Sequence, residues 1–309
     1  MSAPLPAAAQ EDASGWSDWP APAKLNLFLH VVGRRADGYH LLQTAFQLLD
    51  WGDRVRLRVR ADGAVRRAEP LPGVAEDDDL AVRAARALKA AAGVRLGADV
   101  AVDKSIPLGG GLGGGSSDAA TVLVALNALW DAGLDEDALA GLGAGLGADV
   151  PVFVRGRSAW AEGIGERLQP LDLPPRWYVV VDPGATVPTA ELFRAPELTR
   201  DAPHLTIPRF VSGAATVNVF EPVVRERFPA VARALDWLNG YGAARLSGSG
   251  GCLFAAFESA GRAAAVAAHC PPDMRAYVAR GVARSPLAAR LDEWRRTRAH
   301  GSGWGVAKR

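Results

Sequence analysis

Between Pro107 and Asp118 the chain reads Pro-Leu-Gly-Gly-Gly-Leu-Gly-Gly-Gly-Ser-Ser-Asp, six glycines in seven positions directly before an apolar stretch that predicts a helix through Trp130. Glycine tolerates positive φ and keeps side chains out of the way, so such a run lets several backbone N–H groups converge on one anion. The N-terminus of the following helix adds partial positive charge. Ser116 and Ser117 stand where N-cap residues belong, and they also offer hydroxyls to a phosphate or a hydrated Mg²⁺. The segment therefore has the makings of a phosphate cradle. The plainer reading is a flexible linker. It is weakened because the run joins a predicted strand to a predicted helix, which confines any disorder to about ten residues.

Two named phosphate motifs fit less well. A Walker A loop ends in Gly-Lys-Ser/Thr, and no lysine lies between 105 and the helix. Gly109, Gly111 and Gly114 satisfy GxGxxG, but a dinucleotide site wants an acidic residue about twenty positions on, at the end of a second strand. Asp131 has the distance and sits between two predicted helices instead. Lysine itself is informative. It occurs at 24, 89, 104 and 308 only, which leaves 31 of the 35 basic residues as arginine. Arginine serves wherever a surface cation suffices, but not where a compact ammonium must fit among phosphates or beside a carboxylate, so each retained lysine asks for a reason.

The elements that must position these groups follow from periodicity and punctuation. Lys24 to Val32 alternates as a strand, Asp37-Gly38 supplies a turn, and Arg54 to Arg60 alternates strictly with Val55, Leu57 and Val59 on one face. Residues 78–92 predict an amphipathic helix behind an acidic run, and 99–106 a strand. A helix over about 136–146 is expected to end near Gly147-Ala-Asp-Val-Pro151, with Pro151 as its terminator and Asp149 just beyond it. The proline-rich stretch 169–176 reads as a connector. Strands near 177–181, 243–246, 252–257 and 275–280 then interleave with helices near 229–239 and 260–269. The class is α+β in two halves. The expected division is a disordered leader at 1–19, units at 20–168 and 169–290, and a disordered arginine-rich tail at 291–309.

Composition excludes several roles. A formal net charge of +1 over 309 residues gives no global field for nucleic acid or acidic membranes. Two cysteines, Cys252 and Cys270, are too few for a disulfide framework and show no metal-ligand spacing, so a reducing cytoplasmic setting is the expectation. No signal peptide pattern is present, and no apolar run approaches the roughly 18 to 20 residues that span a bilayer.

At the glycine loop the chain resembles the GHMP kinase superfamily, whose second motif is such a loop wrapped around ATP phosphates. Pro22-Ala-Lys-Leu-Asn-Leu27 is similar to its first motif and Leu246-Ser-Gly-Ser-Gly-Gly-Cys252 to its third, a glycine turn that closes over the active site. Three motifs in order over some 230 residues are more specific than any one of them. Within the superfamily, Arg34-Arg-Ala-Asp-Gly-Tyr-His40, Leu42-Gln-Thr44, Gly147-Ala-Asp-Val-Pro-Val-Phe153, Ala161-Glu-Gly163 and Pro188-Thr189 resemble the branch acting on a cytidine-diphosphate-linked methylerythritol.

The resemblance implies ATP-dependent phosphorylation of the 2-hydroxyl of that substrate, with Mg²⁺ whose ligands it does not identify. It also implies a ribosomal-protein-S5-like N-terminal domain, a ferredoxin-like C-terminal domain and a substrate cleft between them. The state would be monomer or homodimer. Asp149 becomes the candidate acceptor for the hydroxyl proton, or a group that orients the hydroxyl, although without the resemblance a turn aspartate would be the preferred reading. Lys24 would stand beside it and stabilise charge on the transferring phosphoryl group. Pro107, Leu108, Gly109 to Gly111, Leu112, Gly113 to Gly115, Ser116 and Ser117 would hold the phosphates, with Lys104 and Leu80 near the adenine. Position 79 would lie there too, but it is Asp79 where the family commonly has Asn. Tyr39 and Phe193 would sandwich the cytosine while His40 bonds its edge. Asn26 and Thr189 would contact the methylerythritol and diphosphate. Gly248, Ser249 and Gly250 form the closing turn. Alternatives are a related kinase for mevalonate, phosphomevalonate or homoserine, which would not need the Tyr39-His40 loop, and a catalytically dead nucleic-acid-binding module. Near-zero charge and the presence of both Lys24 and Asp149 argue against the latter.

Overall fold

A computed structural model describes residues 14–300, apart from the side chain of His300. Two long strands organise it. β1 (Trp16–Arg34) and β2 (His40–Arg60) form an antiparallel pair around the predicted Asp37-Gly38 turn, where Gly38 takes φ +91°. The remaining strands are β3 (Val65–Arg67), β4 (Gly97–Asp103), β5 (Ala159–Gly163), β6 (Arg167–Pro170), β7 (Trp177–Asp182), β8 (Arg245–Leu246), β9 (Leu253–Phe257) and β10 (Arg275–Val282). β1 lines one edge of β2. Along β2 the partners β5, β10 and β4 follow in turn at residues 42–46, 48–49 and 54–60. β10 then hands the sheet on to β7, β9 and β8. The arginines of Arg54 to Arg60 are not simply solvated: Arg58 and Arg60 both donate to the buried Asp99 of β4, and Arg54 to Asp103.

The helices are α1 (Leu80–Ala92), α2 (Gly114–Leu129), α3 (Glu136–Ala144), α4 (Val150–Arg155), α5 (Thr189–Arg194), α6 (Ile207–Val211), α7 (Glu221–Arg227), α8 (Pro229–Asn239), α9 (Ala260–Ala267) and α10 (Pro286–His300). One apolar core joins α1, α2 and α4 to the first part of the sheet, and another packs α7, α8 and α9 against β7 to β9. Between them Leu25, Leu49, Leu112, Val180, Cys252 and Phe254 form a buried layer contributed by both halves. That layer brings the glycine loop against the turn between β8 and β9.

Three expectations are corrected. The first strand starts at Trp16, inside the segment expected as a leader, and Trp19 is fully buried. Pro20 and Pro22 are accommodated because the strand partner of β1 there is β2 on one side, and an edge strand tolerates missing donors. The segment expected as a disordered tail is helical as far as His300. Trp294 of α10 packs 6.4 Å from Trp19, and the Arg290 guanidinium lies 5.0 Å over the Trp19 ring while donating to the Asp18 carbonyl. An arginine-rich composition concealed one apolar face. Residues 1–13 and 301–309 of the expected leader and tail lie outside the described residues. Finally, Pro151 opens α4 rather than ending the preceding helix, and Asp149 is the N-cap of α4, because proline lacks the N–H that a first turn does not use.

Trp19 gives a direct measure of how much the early segment contributes. Trp19→Ala is expected to cost about 3–5 kcal/mol, the range for large-to-small changes in a packed core, read from the urea midpoint. A loss under 1 kcal/mol would mean that residues 16–19 do not belong to the cooperative unit.

Candidate active site

Lys24 sits on β1 at a register shift between Pro22 and Lys24, and its backbone N–H donates to the Leu112 carbonyl of the glycine loop at 3.0 Å. The side chain is 3% exposed. Its ammonium donates to Asn26 Oδ1 at 2.5 Å and to the Gly111 carbonyl at 2.8 Å, and it stands 3.3 Å from Asp149 Oδ2. Asp149, with its side chain 31% exposed, makes no capping bond to its own helix, which leaves its carboxylate turned to Lys24 and the cavity. Asn26 is oriented in turn by its donation to Thr44 Oγ1 at 2.9 Å.

Gly111 is the hinge of this arrangement. It takes φ +74°, and a Cβ there would meet the Ser247 carbonyl oxygen at 2.1 Å. Only glycine permits the loop to lie this close to the turn Ser247–Gly251. Ser247 Oγ donates to the Gly111 carbonyl at 3.0 Å, and Cys252 N donates to the Gly110 carbonyl at 3.0 Å, so the second and third motifs are joined backbone to backbone. Across the cavity Ser249 Oγ and Thr189 Oγ1 are 2.6 Å apart.

The cap of α2 differs from the expectation. Gly113, at φ +75°, is the N-cap with no side chain to offer, and Ser116 and Ser117 lie within the first turn of the helix. The first N–H groups of α2 have no intrahelical partner and are left for a ligand. Ser116 is on the cavity wall, whereas the Ser117 hydroxyl is buried without a hydrogen-bond partner among the described residues.

The cavity measures about 1210 Å³ and spans both halves. Gly109, Gly111, Gly113 and Ser116 face it from the loop, Lys24, Asn26 and Asp149 beside them, Gly248 and Ser249 from the turn that packs on the loop, and Tyr39, His40, Thr189 and Phe193 from the remaining wall. Pro107, Gly110, Gly114, Gly115 and Gly250 do not line it, nor do Leu112, which is buried, and Leu108, which is exposed. His40 packs on Phe193 with ring centroids 5.0 Å apart at 27°, while Tyr39 stands outside this pair at 62% exposure.

Lys104 and Leu80 lie behind the loop. Leu80 faces Gly115, and Lys104 faces Gly114, where a Cβ would come within 3.2 Å of its Nζ. The Lys104 ammonium pairs with both Asp53 and Asp118. Asp53 is fully buried, and its second oxygen accepts from the backbone N–H groups of Ser105 and Ile106 at 2.5 and 2.7 Å. Burial and the neighbouring Asp53 push the Asp118 carboxyl above the usual carboxylate range against the pull of Lys104. Asp79 caps α1 by accepting from Ala81 N at 2.9 Å and stands 3.6 Å from the Arg67 guanidinium.

Residue types alone did not single out Asp53, Asp118, Thr44, Ser247 or Arg200. Each is an ordinary polar residue in the sequence, and Arg200 is one of 31 arginines. A buried charge is visible only once the fold has buried it.

The comparisons with known proteins agree along the chain. Residues 79–157 match the model for the GHMP kinases N terminal domain, and residues 209–272 that for GHMP kinases C terminal. The 4-diphosphocytidyl-2-C-methyl-D-erythritol kinase of Halorhodospira halophila is 62% identical over 285 residues, covering 91% of this chain and 99% of the relative. The chain belongs to the 4-diphosphocytidyl-2-C-methyl-D-erythritol kinases, a GHMP kinase family. The protein of that name from Xanthomonas euvesicatoria is 61% identical over 284 residues, covering 91% and 96%. A crystal structure of a 4-(cytidine 5'-diphospho)-2C-methyl-D-erythritol kinase superposes with a TM-score of 0.74 at 38% identity, covering 86% of this chain and 99% of that one. The mevalonate kinase of Methanococcus jannaschii, at 16% identity and a TM-score of 0.64 with 86% and 98% covered, shares the fold. The expected two-part α+β architecture is therefore that of the family.

Proposed function

We propose that the protein transfers the γ-phosphoryl group of ATP to the 2-hydroxyl of 4-(cytidine 5'-diphospho)-2-C-methyl-D-erythritol, a step of the non-mevalonate route to isopentenyl diphosphate. The observation that carries this reading is one continuous cavity that holds a glycine loop, a Lys24–Asp149 pair 3.3 Å apart and an aromatic platform at its far end. Family membership supplies the substrate.

The chemistry needs little covalent work from the protein. Backbone N–H groups of the glycine loop and the start of α2 hold the phosphates. Asp149 accepts the hydrogen bond of the attacking hydroxyl, and Lys24 offsets charge on the transferring group from the same 3.3 Å pair. The new O–P bond forms as the bond to the ADP oxygen breaks, and the hydroxyl proton leaves toward Asp149. Asn26 keeps the Lys24 ammonium aimed at this point, and the phosphate end of the substrate lies near Thr189 and the Gly248–Gly250 turn. Phe193, His40 and Tyr39 receive the cytosine.

Magnesium fits as a companion of ATP. Among the described residues no group of three or more His, Cys, Asp or Glu side chains is placed to hold a metal. Phosphate oxygens would then supply most ligands, with Ser116 Oγ and the Asp149 carboxylate among the protein oxygens on the wall. The ion would supply charge neutralisation. Among the described residues no helix is long and apolar enough to cross a membrane, and a soluble cytoplasmic enzyme acting on small molecules is the setting we infer.

Purified protein with Mg-ATP is expected to release ADP stoichiometrically with phosphorylation of the cytidine diphosphate methylerythritol. Turnover of mevalonate or homoserine without turnover of that compound would overturn the assignment.

A further inference from the structure

The cytidine end of the cavity carries a cation with no role so far. Arg200, eleven residues past Thr189, sends its guanidinium back across the segment that follows α5. It donates to the carbonyls of Phe193 at 2.9 Å, Ala195 at 2.7 Å and Leu198 at 3.0 Å, and its Nε–H donates to His40 Nε2 at 3.3 Å. His40 belongs to β2 in the other half of the molecule. One planar fork therefore ties the backbone under Phe193 to the imidazole stacked on Phe193.

We propose that Arg200 is a positioning residue which locks His40 as the neutral tautomer protonated at Nδ1 and fixes the His40–Phe193 pair as a preformed platform for the pyrimidine. The inference rests on the functional reading above for the identity of the base. The argument is one of donors and acceptors. A guanidinium has donors only, so the nitrogen that it meets must accept. With Nε2 accepting, a neutral imidazole carries its single proton on Nδ1. His40 then offers a donor, which suits a ring nitrogen or carbonyl acceptor on a base and not an N–H.

Burial and the surrounding positive charges act in the same direction. Burial, Arg200 and Arg34 together hold the His40 imidazole below its usual range. Arg194 from α5 and Asp37 from the β1–β2 turn share the cavity wall, and Asp37 is paired with Arg35 at 2.8 Å. Lysine would not substitute for Arg200, since holding three carbonyls and a ring nitrogen at once needs several donors in a fixed plane.

The test reads His40 itself. In the unaltered protein, ¹⁵N-edited NMR is expected to show a neutral His40 with its proton on Nδ1; a proton on Nε2 would overturn the proposal without any variant. In Arg200→Gln the His40 pKa is expected to rise toward the ordinary histidine value and the tautomer preference to relax. Cytidine 5'-diphosphate, measured by calorimetry, is expected to bind about tenfold more weakly, the scale of one charged hydrogen bond. Binding of a non-hydrolysable ATP analogue is expected to stay within twofold. Arg200→Lys should retain most of the lowered pKa and still lose cytidine diphosphate affinity. An unchanged His40 tautomer and pKa in Arg200→Gln would reduce Arg200 to a structural tie. Failure of cytidine diphosphate to bind the unaltered protein would instead count against the functional reading, leaving the His40 measurement to decide this one.

Discussion

Asp149→Asn is expected to lower kcat by about 10²–10⁴, the contribution typical of a positioned proton acceptor, with the KM for ATP changed less than threefold. Asparagine is nearly isosteric and keeps a carbonyl that can accept a hydrogen bond, so it separates the two duties of this side chain. If Asp149 only orients the hydroxyl, the variant stays within tenfold of normal turnover. The geometry favours the larger loss. The carboxylate makes no bond to its own helix, and its described ionic partner is Lys24 at 3.3 Å. A thermal melt within a few degrees of the parent would show that the loss is not one of folding. Steady-state kinetics at saturating substrate is the measurement that decides.

The second large effect lies behind the loop. Asp53→Ala is expected to cost roughly 3–5 kcal/mol, as when one partner of a buried ion pair is removed, and to lower the Tm by roughly ten degrees on the scale of a domain of this size. Asp53 is fully buried and joins three donors: Lys104 Nζ and the N–H groups of Ser105 and Ile106. These groups lie at the entry to the glycine loop, and Asp118 on the other side of the same ammonium lies at its exit. Removing Asp53 strands two backbone donors and leaves Lys104 with Asp118 alone. A Tm within two degrees of the parent would show that Asp118 or water takes over, and the staple would lose its assigned importance. The KM for ATP should rise in the same variant, because the loop proposed to hold the phosphates loses an anchor at its entry.

Local readings succeeded where the cause was local. The glycine run, the turn at Asp37-Gly38 and the interleaving of strands and helices follow from residue types within a few positions of one another. Helices α8 and α9 and strands β7, β9 and β10 were expected within one or two residues of their ends for the same reason. What was missed was set at a distance. Residues 16–19 look like the end of a leader until β2 pairs with them, and Trp294 is hidden among arginines until Trp19 covers it. β5 and β6 show no strong alternation: β5 exists because β2 offers it an edge, and β6 because β5 does.

For the site, the motifs and their resemblance named Lys24, Asp149 and the glycine loop, since these lie in contiguous patterns. By itself the sequence determined that the molecule carries a glycine run ahead of a helix and a scarce lysine near its first strand. Only the tertiary structure decided which of them meet. The ammonium of Lys24 comes to Asp149 across 125 positions because β1 and the start of α4 pack against the loop between them. The stacking partner of Phe193 is His40, and Lys104 is turned away from the cavity by two buried aspartates. Those choices depend on burial and on the directions of hydrogen bonds, which exist only after the chain has folded, and for His40 and Phe193 only after the two halves have met.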